Sequence, residues 1–252
     1  DDREAIVRAF PDPLNKIRCV VGDFRYEERP ASPFTNELTE MNALLDFVRV
    51  EYPDITHYLY IDADEVFQPK AIATLRLLVR ALPEVGEFRC AWRCYWKSFR
   101  HWIDPVEPAR PLVAFRLTAA TRFTGIRDTN MEPRVVMPPD EMVLHHFSYA
   151  LPAARVREKI QAWSHSGEIV TGWFENVWLG WDANRTMENL HPVVPAHYRR
   201  AAPADEAYLR RVGERVRLGR ARRGMSRKVL SRASGVSERY LAELERGAGN
   251  AS

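Results

Sequence analysis

Apolar and polar positions repeat along this chain with two different periods, and the changes of period mark its elements. Between Glu37 and Val50 the apolar residues fall at Leu38, Met41, Leu44, Leu45 and Val48. That spacing keeps them on one side of a 3.6-residue helix, and Pro53 ends it. His57 to Ile61 (HYLYI) is a β-rich run that leads straight into Asp62-Ala63-Asp64-Glu65. A second helix is predicted from Pro69 to Leu82. Proline is tolerated in the first turn, where its missing N–H has no helical partner to lose. Further β-like runs cover Lys16 to Phe24, Gly86 to Trp96, Pro111 to Leu117, Arg134 to Met137 and Met142 to Tyr149. Pro152 opens a helix through about Ile169, a Trp-rich stretch runs from Trp173 to Trp181, and Asn189 to Arg200 reads as extended. This alternation of strands and helices predicts an α/β domain.

Beyond Ala204 the pattern is helical only. Leu209, Val212 and Val216 share one face, then Met225, Val229, Leu230 and Ala233, then Val236, Tyr240, Leu241 and Leu244. Ser226 and Ser237 are placed to cap the second and third helices, and Gly235 to make the turn between them. Two short amphipathic helices around a Gly-containing turn form a helix-turn-helix pattern. The expected organisation is an α/β domain over 1–200, a linker over 201–207 and a small all-α module over 208–252.

Charge sharpens that division. The 252 residues hold 37 Lys and Arg against 34 Asp and Glu, a net charge of +3. From Asp205 onward there are twelve bases and six acids, so the tail carries +6 and the body −3. Asymmetry of this kind points to two parts with different partners. No apolar run reaches the roughly 18 residues a membrane span needs, and no secretory signal is legible. Three cysteines, Cys19, Cys90 and Cys94, make no disulfide framework. Buried thiols in a reducing cytoplasm are the expectation.

Asp62 and Asp64 carry the sharpest chemistry. Carboxylates at i and i+2 lie on one side of an extended backbone. At the end of a strand they face the crevice where open α/β sheets bind ligands. Such a pair suits a hard cation, Mg²⁺ or Mn²⁺, which in turn grips a diphosphate. The same acids are equally placed to cap the following helix or to stand as solvated loop charges.

HYLYIDADEVFQP resembles the DxD segment of family 2-like glycosyltransferases of the GT-A fold. CYWKSFRHWIDPVEP, PLVAFR, VLHHFSYALPAARVREKIQAWSHSGEI, VWLGWD and NLHPVVP extend the resemblance over about residues 15–198. It implies an incomplete GT-A-like mixed sheet with flanking helices, and transfer of a sugar from a nucleotide-sugar donor to an acceptor. Asp62 and Asp64, with His145 or His146 from the end of a later strand, would hold the metal. Asn42, Glu65, Lys97 and Arg100 are the candidate substrate contacts. The base that takes the acceptor proton is sought among Glu107, Asp104 and Asp128, with Glu107 first. Where the family shows Arg-Asn before the DxD strand, this chain has Met41-Asn42. The family's opening strand is also missing, so impaired catalysis is expected.

VGERVRLGRARRGMSRKVLSRASGVSERYLAELERG resembles the lambda-repressor/Cro-like (XRE) DNA-binding family, most closely regulators whose module precedes a shikimate-kinase-like domain. The resemblance implies double-stranded DNA as partner and a homodimer as the usual form. Ser237, Glu238, Arg239 and Glu243 would face bases, and Arg227 and Lys228 phosphates. Its fourth helix is expected to be lacking. A third expectation follows from the two incomplete resemblances: a junction of two partial genes with neither activity intact.

Overall fold

The computed structural model describes residues 35–163, 165–234 and 236–248. The predicted strand over Lys16 to Phe24, Cys19 and the Gly235 turn lie outside the described residues. The fold is α/β with mixed sheets, and its residues divide into two compact units.

The smaller unit contains helix α1 (Thr35–Glu51) and residues 117–130. Met41 and Leu45, two positions of the predicted apolar stripe, are its buried side. Strands β7 (Phe123–Gly125) and β8 (Asp128–Thr129) pair here as an antiparallel ribbon. Asn42 locks the helix to this ribbon. Its Nδ2 donates to Phe123 O at 3.1 Å, and Phe123 N donates to its Oδ1 at 3.0 Å.

The larger unit holds two sheets. The first runs in the order β1 (His57–Leu59), β6 (Leu112–Arg116), β3 (Glu87–Arg89), β9 (Arg134–Val136). The second runs β11 (Arg200–Pro203), β5 (Ser98–Asp104), β4 (Ala91–Trp96), β10 (Val143–Tyr149), β2 (Glu65–Phe67). In it β4 and β10 are parallel, and the other pairings are antiparallel. The run Gly86 to Trp96 is therefore two strands in two sheets, divided at Cys90. The acidic segment likewise crosses from one sheet to the other between β1 and β2. HYLYI ends as a strand at Leu59 rather than Ile61.

Helix α2 (Pro69–Ala81) forms where expected and buries Ala71 and Leu75 against a core of Phe67, Phe88, Val113 and Leu144. Helix α3 (Ala153–Ala162) is shorter than the expected run to Ile169. Its Val156 joins Trp96, Tyr149, Trp173, Trp178 and Tyr198 in a second core. The Trp-rich segment folds as a π-helical turn over Phe174–Leu179. Trp96, Trp173 and Trp178 are thus core residues.

The expected linker 201–207 carries most of strand β11 and the start of helix α4 (Glu206–Arg222). Helices α4, α5 (Arg227–Ser234) and α6 (Glu238–Glu245) belong to the same compact unit as the two sheets. Asp205 caps α4 by accepting from Tyr208 N, and Ser237 caps α6 by accepting from Tyr240 N. A Cβ at Gly213 would come within 2.4 Å of Leu244 O, so glycine is what lets α4 and α6 approach. Glu245 is buried and joins the three helices: Arg220 Nε donates to its Oε1 at 2.5 Å and Arg227 Nε to its Oε2 at 2.9 Å. Among the described residues no helix is long and apolar enough to cross a membrane.

Candidate functional site

Strand alternation sorts the second sheet into two faces of different chemistry. Glu65 pairs in register with His146, and His146 with Cys94, so these three side chains share one face. Val66, His145 and Arg93, one position along, share the other.

On the first face the turn after Tyr60 is held by its own acids. Asp62 N donates to Glu65 Oε2 at 2.8 Å, and Trp92 Nε1 donates to Glu65 Oε1 at 2.7 Å. Glu65, a candidate substrate contact, is buried and shapes the loop instead. Phe147 N donates to Asp64 O at 2.9 Å, which fixes the second aspartate beside β10.

Asp64 is the centre of the site. Lys159 Nζ, from α3, donates to its Oδ2 at 2.6 Å, and His146 Nε2 stands 3.6 Å from the same atom. Ser148 Oγ also accepts from Lys159 at 2.6 Å. Burial alone would raise the Asp64 carboxyl. The hydrogen bond and charge of His146, with the Lys159 ammonium, outweigh it and hold the group well below the usual carboxylate range. Trp92 stacks on the His146 ring at 4.9 Å and fixes its plane.

From His146 the polar contacts continue inward. Its Nδ1 lies 3.7 Å from Cys94 Sγ, and Cys94 Sγ donates to Glu107 Oε2 at 3.0 Å. Glu107 Oε1 lies 3.9 Å from His197 Nδ1. Only 4 % of Glu107 is exposed, and burial pushes its carboxyl up despite the Cys94 hydrogen bond and the nearby imidazoles. Burial, then the Glu107 charge, likewise pushes the Cys94 thiol up, so it stays protonated and donates.

The remaining expected residues stand elsewhere. His145 points to the opposite face, where its Nδ1 meets Tyr95 Oη at 2.8 Å. Asp104 is a strand residue paired with Arg200 across β5 and β11 at 2.6 Å, away from Asp64 and Glu107 in that contact. Asp128 and Asn42 are residues of the smaller unit, in β8 and α1. Lys97 takes a left-handed turn (φ 61°) between β4 and β5 and lays its ammonium 3.6 Å over the Trp178 ring. Arg100 donates to Ala248 O at 3.0 Å, just past α6.

Sequence reasoning missed Lys159 and His197. Lys159 lies 95 residues from Asp64, inside a block that carries the resemblance but in which it was not singled out.

Among the expected DNA contacts, Arg227 is drawn to Glu245, and Ser237 is spent as a cap. Arg239 stands exposed with Glu243 3.3 Å away, and Lys228 and Glu238 are exposed.

No family model, curated protein or solved structure matches this chain.

The donor chemistry suits a hard cation in part. Asp64 and His146 are the two side chains here that could serve as protein ligands. Among the described residues no group of three or more His, Cys, Asp and Glu side chains gathers for a metal. A Mg²⁺ or Mn²⁺ ion held here would draw its remaining oxygens from a diphosphate and water, as these ions commonly do.

Proposed function

We propose that the larger unit is a GT-A-like glycosyltransferase body that takes a nucleotide-sugar donor at Asp64. The observation that carries this reading is the meeting of Asp64, His146 and Lys159 at one carboxylate oxygen. Asp64 and His146 would hold the cation, which neutralises charge building on the leaving diphosphate. Lys159 supplies a further positive charge on the same side. Glu107 is the residue best suited to take the acceptor proton. Its burial keeps its carboxyl above the ordinary range, closer to what a base working near neutrality requires. The His197 imidazole stands 3.9 Å from the same carboxylate.

The test is donor turnover by the full chain. A panel of uridine, guanosine and cytidine diphosphate sugars is incubated with Mn²⁺, and release of nucleoside diphosphate is followed by mass spectrometry. Release that falls at least a hundredfold in Glu107→Gln supports the reading. Release at equal rates in both proteins removes Glu107 from the mechanism, and no release from any donor removes the activity.

A second reading, DNA binding through an XRE-like helix-turn-helix in α5 and α6, is favoured by one observation. Arg239 on α6 has a side chain 91 % exposed, and Lys228 and Arg232 on α5 are exposed as well. Lys228 and Arg232 are in no ion pair with a described residue and can meet phosphates, whereas Arg239 shares its charge with Glu243 3.3 Å away. Sequence-independent attraction of this kind is strongly salt-dependent.

A further inference from the structure

The face of the second sheet opposite Asp64 carries a cavity that the proposed sugar chemistry does not use. Its volume is about 320 Å³, at the small end of the range for small-molecule sites. Phe99 and Phe147 from the sheet and Val212, Val216 and Leu244 from helices α4 and α6 give it an apolar wall. Two guanidiniums, Arg211 and Arg215 of α4, stand at its lining, and no Asp or Glu lines it. Neither arginine is in an ion pair with any described residue, unlike Arg217 and Arg220 of the same helix. Arginine is weakly hydrated and matches a carboxylate with two parallel N–H bonds. An apolar chamber with two unneutralised forks at its lining is complementary to a molecule with an apolar body and one anionic end.

Gln68, His145 and Tyr208 are its other polar lining residues, and none brings a competing negative charge. Tyr208, held by burial above the usual phenol range, is neutral. The cavity therefore offers its positive charge at the arginines and an uncharged interior elsewhere.

We infer that this cavity binds a small monocarboxylate with an aliphatic body, the chain lying between Phe147 and Val212 and the carboxylate on Arg211 and Arg215. A ligand there touches both the sheet and two tail helices, so binding holds α4 against the sheet.

The test uses the full chain and isothermal titration with decanoate below its micelle-forming concentration. Decanol is the uncharged control and decyltrimethylammonium the cationic one. Saturable one-site binding of decanoate, at least tenfold tighter than decanol, with none of the cation, is expected. The Arg211→Gln/Arg215→Gln double variant should weaken decanoate at least tenfold and leave decanol unchanged. Val66→Asp offers a second variant at a wall position 53 % exposed. It places a carboxylate beside the cavity, and decanoate alone should lose affinity. No saturable decanoate binding overturns the inference. So does equal affinity for decanoate and decanol, or decanoate binding unchanged in either variant.

Discussion

Lys159 Nζ lies 2.6 Å from Asp64 Oδ2, so an ammonium rests on the carboxylate that the sequence points to as a metal ligand. The two residues come from α3 and from the turn between the sheets. The contact orders the loop before any ligand arrives, and it competes with a cation for the same oxygen. Lys159→Met should therefore tighten Mn²⁺ binding in the absence of nucleotide while weakening nucleoside diphosphate binding about tenfold. Manganese electron paramagnetic resonance and nucleotide titration on one preparation read both. A parallel loss of both would mean that Lys159 only braces the loop.

Glu107 is a buried acid with a raised carboxyl, and that fixes the sign of its effect on stability. The unfolded chain ionises this group first. Stability therefore falls as pH rises from the ordinary carboxylate range through the folded value. Glu107→Gln should melt at a higher temperature than the parent at pH 7, and this advantage should vanish in acid. Thermal unfolding across pH 4 to 7 checks the crossing.

His145 gives the opposite slope. Burial, Arg93 and Arg215 lower it to about 4, whereas a free imidazole titrates near 6.5. The unfolded chain takes up the proton first as pH falls. Its contribution is full above about 6.5 and is lost progressively toward about 4, by at most about 3 kcal/mol. His191, also lowered to about 4 by burial and neighbouring imidazoles, adds a slope in the same window. His145→Gln should flatten the curve in part, measured by denaturant unfolding at pH 4.5 and 7.

The tail depends on Gly213 for its close crossing with α6. Gly213→Ala should destabilise it by about 1–3 kcal/mol, because a Cβ there meets backbone rather than a movable side chain. Hydrogen exchange should show the loss in α4 to α6 while β4 and β10 keep their protection. Uniform loss of protection would mean that tail and sheet unfold as one.

DNA binding by the same tail makes a separate prediction. Lys228→Ala/Arg232→Ala should weaken association with duplex DNA and reduce the slope of log affinity against log salt by about 1 for each phosphate contact removed. Gel-shift titration at several salt concentrations measures both.

Much of the fold was legible because its periods are strong. The stripe of α1, Pro69 at the start of α2 and the serine caps of the tail all read directly from residue types. The division of Gly86 to Trp96 between two sheets was not legible, since an unbroken β-rich run carries no sign of a change of partner. Nor was β11, whose Pro203 and short length suit an edge strand but also a linker. For the site, alternation along β10 required that one of His145 and His146 face away. Only the pairing register with β2 and β4 decided which. Asp104 looked like a free acid until its strand placed it opposite Arg200. Glu107 was the first candidate base, but the burial that raises its carboxyl, against the opposing Cys94 hydrogen bond and His197 charge, is brought about by tertiary packing alone.

The most direct test of the central claim is a titration of the full chain and of Asp64→Ala with uridine and guanosine diphosphate, each with and without Mn²⁺. Saturable binding of at least one nucleotide by the parent is expected, at least tenfold weaker without Mn²⁺ and at least tenfold weaker in Asp64→Ala. Binding that ignores both Mn²⁺ and Asp64, or no binding of either nucleotide, would contradict it.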